Sequence, residues 1–297
     1  MDAPSDVDPA SPAAAGGAGV RPDSAFPADP LGLADQVVRD WRAVPADLVI
    51  RDDRAPFPVL RDMAKVRRGT AAPLKIIDTG ALPVPELEWL ARANAEIYSS
   101  DAAGRTAREL ALVADAARRG GALVAHFHHG PFADGGSGAP MSFDDLLELG
   151  RSGVHLYASD AKGARDFGAL DALAYACEKG GAAFAYYHHG TIVPGLEDLA
   201  RRGAWIHVPG RSLAAESAAV LAADCARAAH ATGAGLVLHV DELLDPSLTA
   251  DLMEAGAHIV FLTPPSDYRS PSRLQEDRAR RLPPAPRAYY LYPAFML

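Results

Sequence analysis

Cysteine is almost missing from this chain. Cys177 and Cys225 are the only two in 297 residues, too few for a disulfide framework or a zinc finger. No apolar run reaches the ~18 residues of a membrane span. The first residues carry Asp2, Asp6 and Asp8, where a secretory signal places basic residues ahead of an apolar stretch. Positive charge is short as well: 29 Lys and Arg stand against 38 Asp and Glu, a formal balance of -9 that phosphate backbones and anionic lipid repel. No basic stretch is interleaved with aromatics in the manner of a nucleic-acid surface. Also missing are a phosphate loop ending in GK[ST], a GxGxxG after a strand and a GxSxG elbow. These absences argue against nucleic acid and membrane as partners. They leave the expectation of a cytoplasmic protein that meets small molecules.

What is present is core-forming material. Hydrophobic residues make up 49% of the chain and charged residues 23%, the balance of a globular protein. Residues 1–30 are the exception, an Ala/Pro/Gly/Asp stretch expected to form a disordered arm. From residue 47 onward, short β-rich runs alternate with helical stretches. The runs are Leu48–Asp53, Leu74–Gly80, Glu96–Asp101, Ala122–Gly130, Val154–Asp160, Ala182–Gly190, Ala204–Gly210, Gly235–Glu242 and His258–Pro264. Such alternation means βα units and a parallel sheet, and near-continuous strands such as GLVLHV fit a sheet buried on both faces.

An internal repeat sharpens the expectation. EIYSSDAAGR…GGALVAHFHHG from Glu96 aligns with HLYASDAKGAR…GGAAFAYYHHG from His155, and fainter copies begin at Asp47 and Trp205. Each copy is two βα units, so four copies predict a closed (βα)8 TIM-like barrel over residues 31–265. Either the first or the last of the nine runs then falls outside the barrel. Residues 266–297 form an Arg/Pro-rich tail ending in AYYLYPAFML. Its hydrophobic end, residues 288–297, either folds back onto the body or docks a partner or second subunit.

The histidines gather late in the predicted strands, on the face where barrel enzymes hold their sites. Side chains alternate along a strand, so His126 and His128 share a face, as do Tyr186 and His188, and His239 and Asp241. Even-numbered strands end in Asp78, His128, His188 and the His239/Asp241 pair, which a closed barrel would bring together. Imidazole nitrogen and carboxylate oxygen suit Zn, Mn or Fe. His128, His188 and Asp241 are therefore the expected ligands of a divalent metal ion, with His239 and Asp78 as further candidates. Odd strands end in Asp101 and Asp160. These are candidate general bases, with helix capping as their structural alternative. His129 and His189, the second histidines of the HHG turns, are candidate catalytic or donor groups. Arg105, Arg165 and Arg211 follow glycines near helix starts and could hold an anion, with His207 as a further substrate contact. The glycine-rich stretch His129–Ser142 suggests a lid.

His126-Phe127-His128 resembles the His-x-His that opens the metal site of amidohydrolase-like and PHP-type phosphoesterase barrels. In those families the pair belongs to the first strand, with later histidines and an aspartate completing the site; here at least two predicted strands precede it. His188, His239 and Asp241 would suit that later set. The leading expectation is a metal-dependent hydrolase acting on a small anionic or phosphorylated substrate. A metal-free isomerase or lyase using histidine acid/base chemistry is the second reading. A non-catalytic binding or scaffold protein acting through its tail is the third.

Overall fold

The computed structural model describes residues 48–68, 73–128, 130, 132, 141–161, 163–240 and 244–261. The expected arm and tail, and most of the expected lid, lie outside these residues. Among the described residues no helix is long and apolar enough to cross a membrane.

All nine runs foreseen from the sequence are strands of one parallel sheet. They are β1 (Leu48–Arg51), β2 (Leu74–Ile77), β3 (Glu96–Ser100), β4 (Val124–His128), β5 (His155–Ser159), β6 (Phe184–Tyr187), β7 (Trp205–Pro209), β8 (Leu236–Val240) and β9 (His258–Phe261). The fold is α/β, with the strands hydrogen-bonded in chain order from β1 to β9. This is the neighbour order of a (βα) barrel. The count differs from the expected eight, because both the first and the last runs belong to the sheet. Right-handed crossovers between consecutive parallel strands carry the helices to one side of the sheet.

The helices reveal the repeat. α1 (Phe57–Arg67), α3 (Ala107–Gly120), α5 (Phe167–Gly180) and α7 (Glu216–Ala231) follow odd strands and are long. α2 (Val84–Arg92), α4 (Phe143–Arg151), α6 (Pro194–Arg201) and α8 (Pro246–Glu254) follow even strands and are short. Each copy therefore reads strand, long helix, strand, short helix, and β9 opens a fifth copy. Short side chains let successive copies pack closely: a Cβ on Gly180 of α5 would overlap the carbonyl oxygen of Gly150 in α4. Gly180→Ala is expected to cost about 1–3 kcal/mol through that overlap. Urea denaturation of the variant checks it.

Register divides the sheet into two faces. Ile76, Ile97, Val124, Leu156, Phe184 and Ile206 line one, an apolar surface of the kind helices require, and His126, His128 and Tyr186 lie on the same face nearer the strand ends. The other carries rings in succession. Phe127 stacks on Tyr157 at 4.1 Å, Tyr187 on His207 at 4.2 Å, and His207 on His239 at 5.2 Å. Helix starts are set locally: Thr106 with Glu109, and Ser142 with Asp145, form reciprocal capping boxes, and Asp166 caps α5.

Candidate active site

One device recurs at the C-terminal ends of the first three odd strands. An aspartate there accepts a backbone N–H from the turn after the next strand. Asp52 takes Thr79 N at 3.0 Å, Asp101 takes Gly130 N at 3.3 Å, and Asp160 takes His189 N at 2.8 Å. Adjacent parallel strands lie about 4.8 Å apart, so a side chain at one strand end reaches the turn beside it. The clamp at Asp52 involves no histidine, so the carboxylate alone is a structural staple. The second and third copies add imidazoles to it.

In the second copy the staple becomes a cluster of donors. His126 Nε2 lies 3.1 Å from Asp101 Oδ1, and His128 Nδ1 lies 3.2 Å from the same oxygen. The three side chains are 0%, 2% and 0% exposed for His126, His128 and Asp101. One ligand atom from each lies within 4.8 Å of the others, so the group could hold a metal ion. Among the described residues, the remaining ring nitrogens, His126 Nδ1 and His128 Nε2, are buried without a hydrogen-bond partner. Burial alone would raise the Asp101 carboxyl. Hydrogen bonds from His126 and then His128 outweigh that and hold it well below the usual carboxylate range. Phe132 stacks on the His128 ring at 5.7 Å.

The third copy differs at one position. Where the second has His126, the third has Tyr186, whose hydroxyl donates to Asp160 Oδ2 at 3.1 Å. His188 Nδ1 lies 2.6 Å from that oxygen, and His189 Nδ1 lies 3.0 Å from Oδ1. His188 Nε2 faces the Thr191 carbonyl at 2.8 Å. Both ring nitrogens of His188 thus meet acceptors, an arrangement that suits the imidazolium. Burial works against that charge, but the Asp160 and Thr191 contacts raise His188 above its ordinary value. Asp160 moves the other way: burial pushes up, and its histidine hydrogen bonds hold it well below normal. The last residue of the HHG turn has a physical reason here. A Cβ on Gly190 would stand 3.0 Å from the His188 ring, so glycine allows the imidazole its place. This cluster is open where the other is sealed, with Asp160, His188 and His189 side chains 10%, 12% and 19% exposed.

The expected ring of even-strand ligands is replaced by pairs between neighbouring strands. Coordination bonds of about 2 Å put ligand atoms within roughly 4 Å of one another. Alternate strands are roughly twice 4.8 Å apart, so His128 and His188 meet their neighbouring aspartates instead. His188 has neither ring nitrogen left for an ion. Asp78 is consumed by Arg105, whose Nη2 lies 2.7 Å from Oδ1, and by the Ser99 hydroxyl at 2.8 Å. Arg105 also donates to the Leu82 carbonyl and is buried, so it is committed to the fold rather than turned to a substrate. His239 Nε2 lies 2.9 Å from His207 Nδ1, within the ring stack on the face opposite Asp101. His207 is accordingly buried away from the strand-end clusters. Arg211 is exposed in the short 3-10 turn Gly210–Leu213. His129 and Asp241 lie outside the described residues. The capping alternative for Asp101 and Asp160 gives way to Thr106 and Asp166, which cap the helices that follow.

Arg165 links the two clusters. Its Nε donates to the Ser159 carbonyl at 2.8 Å, and its guanidinium carbon sits 4.8 Å from the centre of the Phe132 ring. Desolvation lowers its pKa, and the negative charges of Asp160 and Asp101 act in the opposite direction. Sequence reasoning missed three contributors: His126 as a donor, Asp101 as its hub, and Tyr186 as the substitution that separates the copies. The alternation in HFH and AYYH held the signal for the first and third.

No protein family matches the chain, and no curated protein does. Among solved structures it is similar to a D-psicose 3-epimerase in the presence of D-fructose, at 12% identity over 68% of this chain and 88% of that one, with a TM-score of 0.33. It is similar to a mutant tryptophan synthase α-subunit from Pyrococcus furiosus, at 13% identity over 72% and 84%, with a TM-score of 0.33. A deoxyribose phosphate aldolase from Aeropyrum pernix follows, at 13% identity over 78% and 90%, with a TM-score of 0.29. Scores of this size say nothing about chemistry.

Proposed function

We propose that Asp101, His126 and His128 hold one divalent ion (Zn, Mn or Fe), and that the chain is a metal-dependent enzyme for a small anionic substrate, with hydrolysis the first reading. One observation carries it: a carboxylate and two imidazole nitrogens converge at 3.1 and 3.2 Å in a sealed strand-end site. Bonds near 2.0 Å at tetrahedral angles place ligand atoms roughly 3.3 Å apart, so the site needs little rearrangement. Two histidines and a carboxylate also form the ligand set of open non-haem iron sites. A bound ion of this class polarises carbonyl or phosphoryl oxygen and makes water more acidic. Asp101 then serves as a ligand rather than as the base expected from the sequence. His189 supplies the proton acceptor, its ring oriented by Asp160, and Arg165 orients the substrate anion. An isomerase or lyase is the second reading, favoured by the two imidazoles that share Asp160 in the more open cluster. The scaffold reading concerns the tail, outside the described residues; deleting 288–297 and looking for lost partners tests it.

Metal analysis of untagged protein decides the first reading. About one ion per chain is expected, falling below about a tenth in Asp101→Ala and in the His126→Ala/His128→Ala double variant. A metal-free wild type after growth and dialysis in Zn, Mn and Fe in turn rejects it. Turnover by that metal-free protein, governed by imidazole ionisation, would favour the second.

A further inference from the structure

The N-terminal ends of the strands, remote from the histidine clusters, hold a second feature. A cavity of about 600 Å³ opens where β5, β6 and β7 begin, with His155, Phe184 and Trp205 in its wall. The second copy has the same depression at its own strand starts, but with a volume of about 180 Å³. α3 and α5 both close on a Gly-Gly pair, which aligns Arg118 with Glu178 and Leu123 with Ala183. β5 and β7 likewise open on His155 and Trp205. Each of these residues lines the cavity of its own copy. From the smaller depression to the larger, leucine becomes alanine, and space opens. Arginine becomes glutamate, and the charge at that point turns from positive to negative. Imidazole becomes indole, the ring whose face attracts a cation most strongly.

The rest of the wall fits the same kind of occupant. α5, α6 and α7 all end beside the cavity, at Gly180, Arg201 and Ala231, so three helix C-termini turn their negative dipole ends toward it. Arg201 and Arg202 line it too, but carboxylates already match them: Glu197 and Asp198 hold Arg201, and Asp171 takes Arg202 Nε at 2.8 Å. His155 adds no charge. Its Nδ1 accepts the Ala183 N–H at 3.2 Å, and burial pushes its pKa down to about 4. Glu178 makes no side-chain hydrogen bond or ion pair among the described residues, and Arg202 acts on it only through space. We propose that this cavity binds an organic ammonium ion with an apolar body, its charge at Glu178 and its alkyl groups against Trp205. Pockets of roughly 300–1,000 Å³ hold ligands of this class. The site is independent of the metal reading and stands or falls by itself.

The test titrates the full chain calorimetrically with benzyltrimethylammonium, with benzoate as an anion of similar shape and benzyl alcohol as the neutral control. The cation is expected to bind at least about tenfold more tightly than either. Ala183→Leu installs the second copy's side chain in the cavity and should abolish binding. Glu178→Gln keeps the shape, removes the charge and should weaken the cation about tenfold while leaving benzyl alcohol unchanged. Trp205→Phe should weaken it by a smaller factor, since a phenyl face attracts a cation less than an indole. Urea midpoints near that of the parent chain establish that the variants fold; Glu178 is exposed, so its variant keeps the test decisive if either core variant is unstable. Benzoate binding as tightly as the cation overturns the charge assignment. Unchanged affinity in both Ala183→Leu and Glu178→Gln puts the probe elsewhere and overturns the site. No heat of binding at about 10 mM probe overturns the proposal as a whole.

Discussion

Arg105→Met should destabilise the fold by about 3–5 kcal/mol, the cost of leaving a buried charge without its partner. Asp78 has no side-chain exposure and Arg105 only 9%. The arginine places Nε and Nη2 on the carboxylate and reaches the Leu82 carbonyl as well. Removing it strands an anion whose remaining donors are the Ser99 hydroxyl and Gly80 N–H. The carboxylate must then ionise less readily or draw in water, and either course disturbs the ends of β2 and β3. Removing both charges is a different matter, because an apolar pair of similar volume often replaces a buried ion pair at little cost. Arg105→Met/Asp78→Leu should therefore recover part of the loss. Urea denaturation of the two single variants and the double closes the cycle. A loss below about 1 kcal/mol for Arg105→Met would show the pair to be peripheral.

The second large effect is acid lability. Burial pushes His239 down to about 4 and holds His207 well below its ordinary value, the latter helped by repulsion from His239 and His258. Their rings share an N···N hydrogen bond of 2.9 Å, which needs a lone pair on one side. An unfolded histidine titrates near 6.5. Between about 6.5 and about 4 the unfolded chain therefore takes up protons that the folded chain refuses, so stability falls as pH drops through that window. Above 6.5 these groups contribute no slope. His239 alone accounts for about 3 kcal/mol across the window. His207 adds to the loss in the same direction. The His188–Asp160 pair has the opposite histidine sign: its raised imidazole favours the folded state below that raised pKa and loses the benefit above it. Asp160 keeps its contribution above about pH 4 and loses it progressively as pH falls below that. Denaturation midpoints at pH 7.5, 6, 5 and 4.5 should fall steeply, and His239→Gln should flatten the curve even if its starting stability is lower. A flat profile in the parent chain would mean the inner histidines already carry protons or meet water.

Strand positions were readable because a sheet buried on both faces leaves runs such as GLVLHV with little polar content. The copies were readable because Tyr98 and Tyr157, or His128 and His188, recur at almost constant separation. Site assembly was harder to read. Placing Asp78, His128, His188 and His239 in one ring assumed that equivalent positions converge, whereas contact range favours the adjacent strand. Hence Asp101 claims His126 and His128, and Asp160 claims His188 and His189. Arg105 looked available because its partner Asp78 lies in another copy, 27 residues away. Capping likewise passed to Thr106 and Asp166, five or six residues beyond the aspartates that carried the expectation.

Strand order has a consequence for biogenesis. Since each strand neighbours the one before it, every newly made segment finds a docking edge already synthesised. Nothing need be held open for a later arrival, as happens when a central strand is translated last. Growth can proceed vectorially from the ribosome, with modest loop closure at each addition and only the newest edge exposed to aggregation.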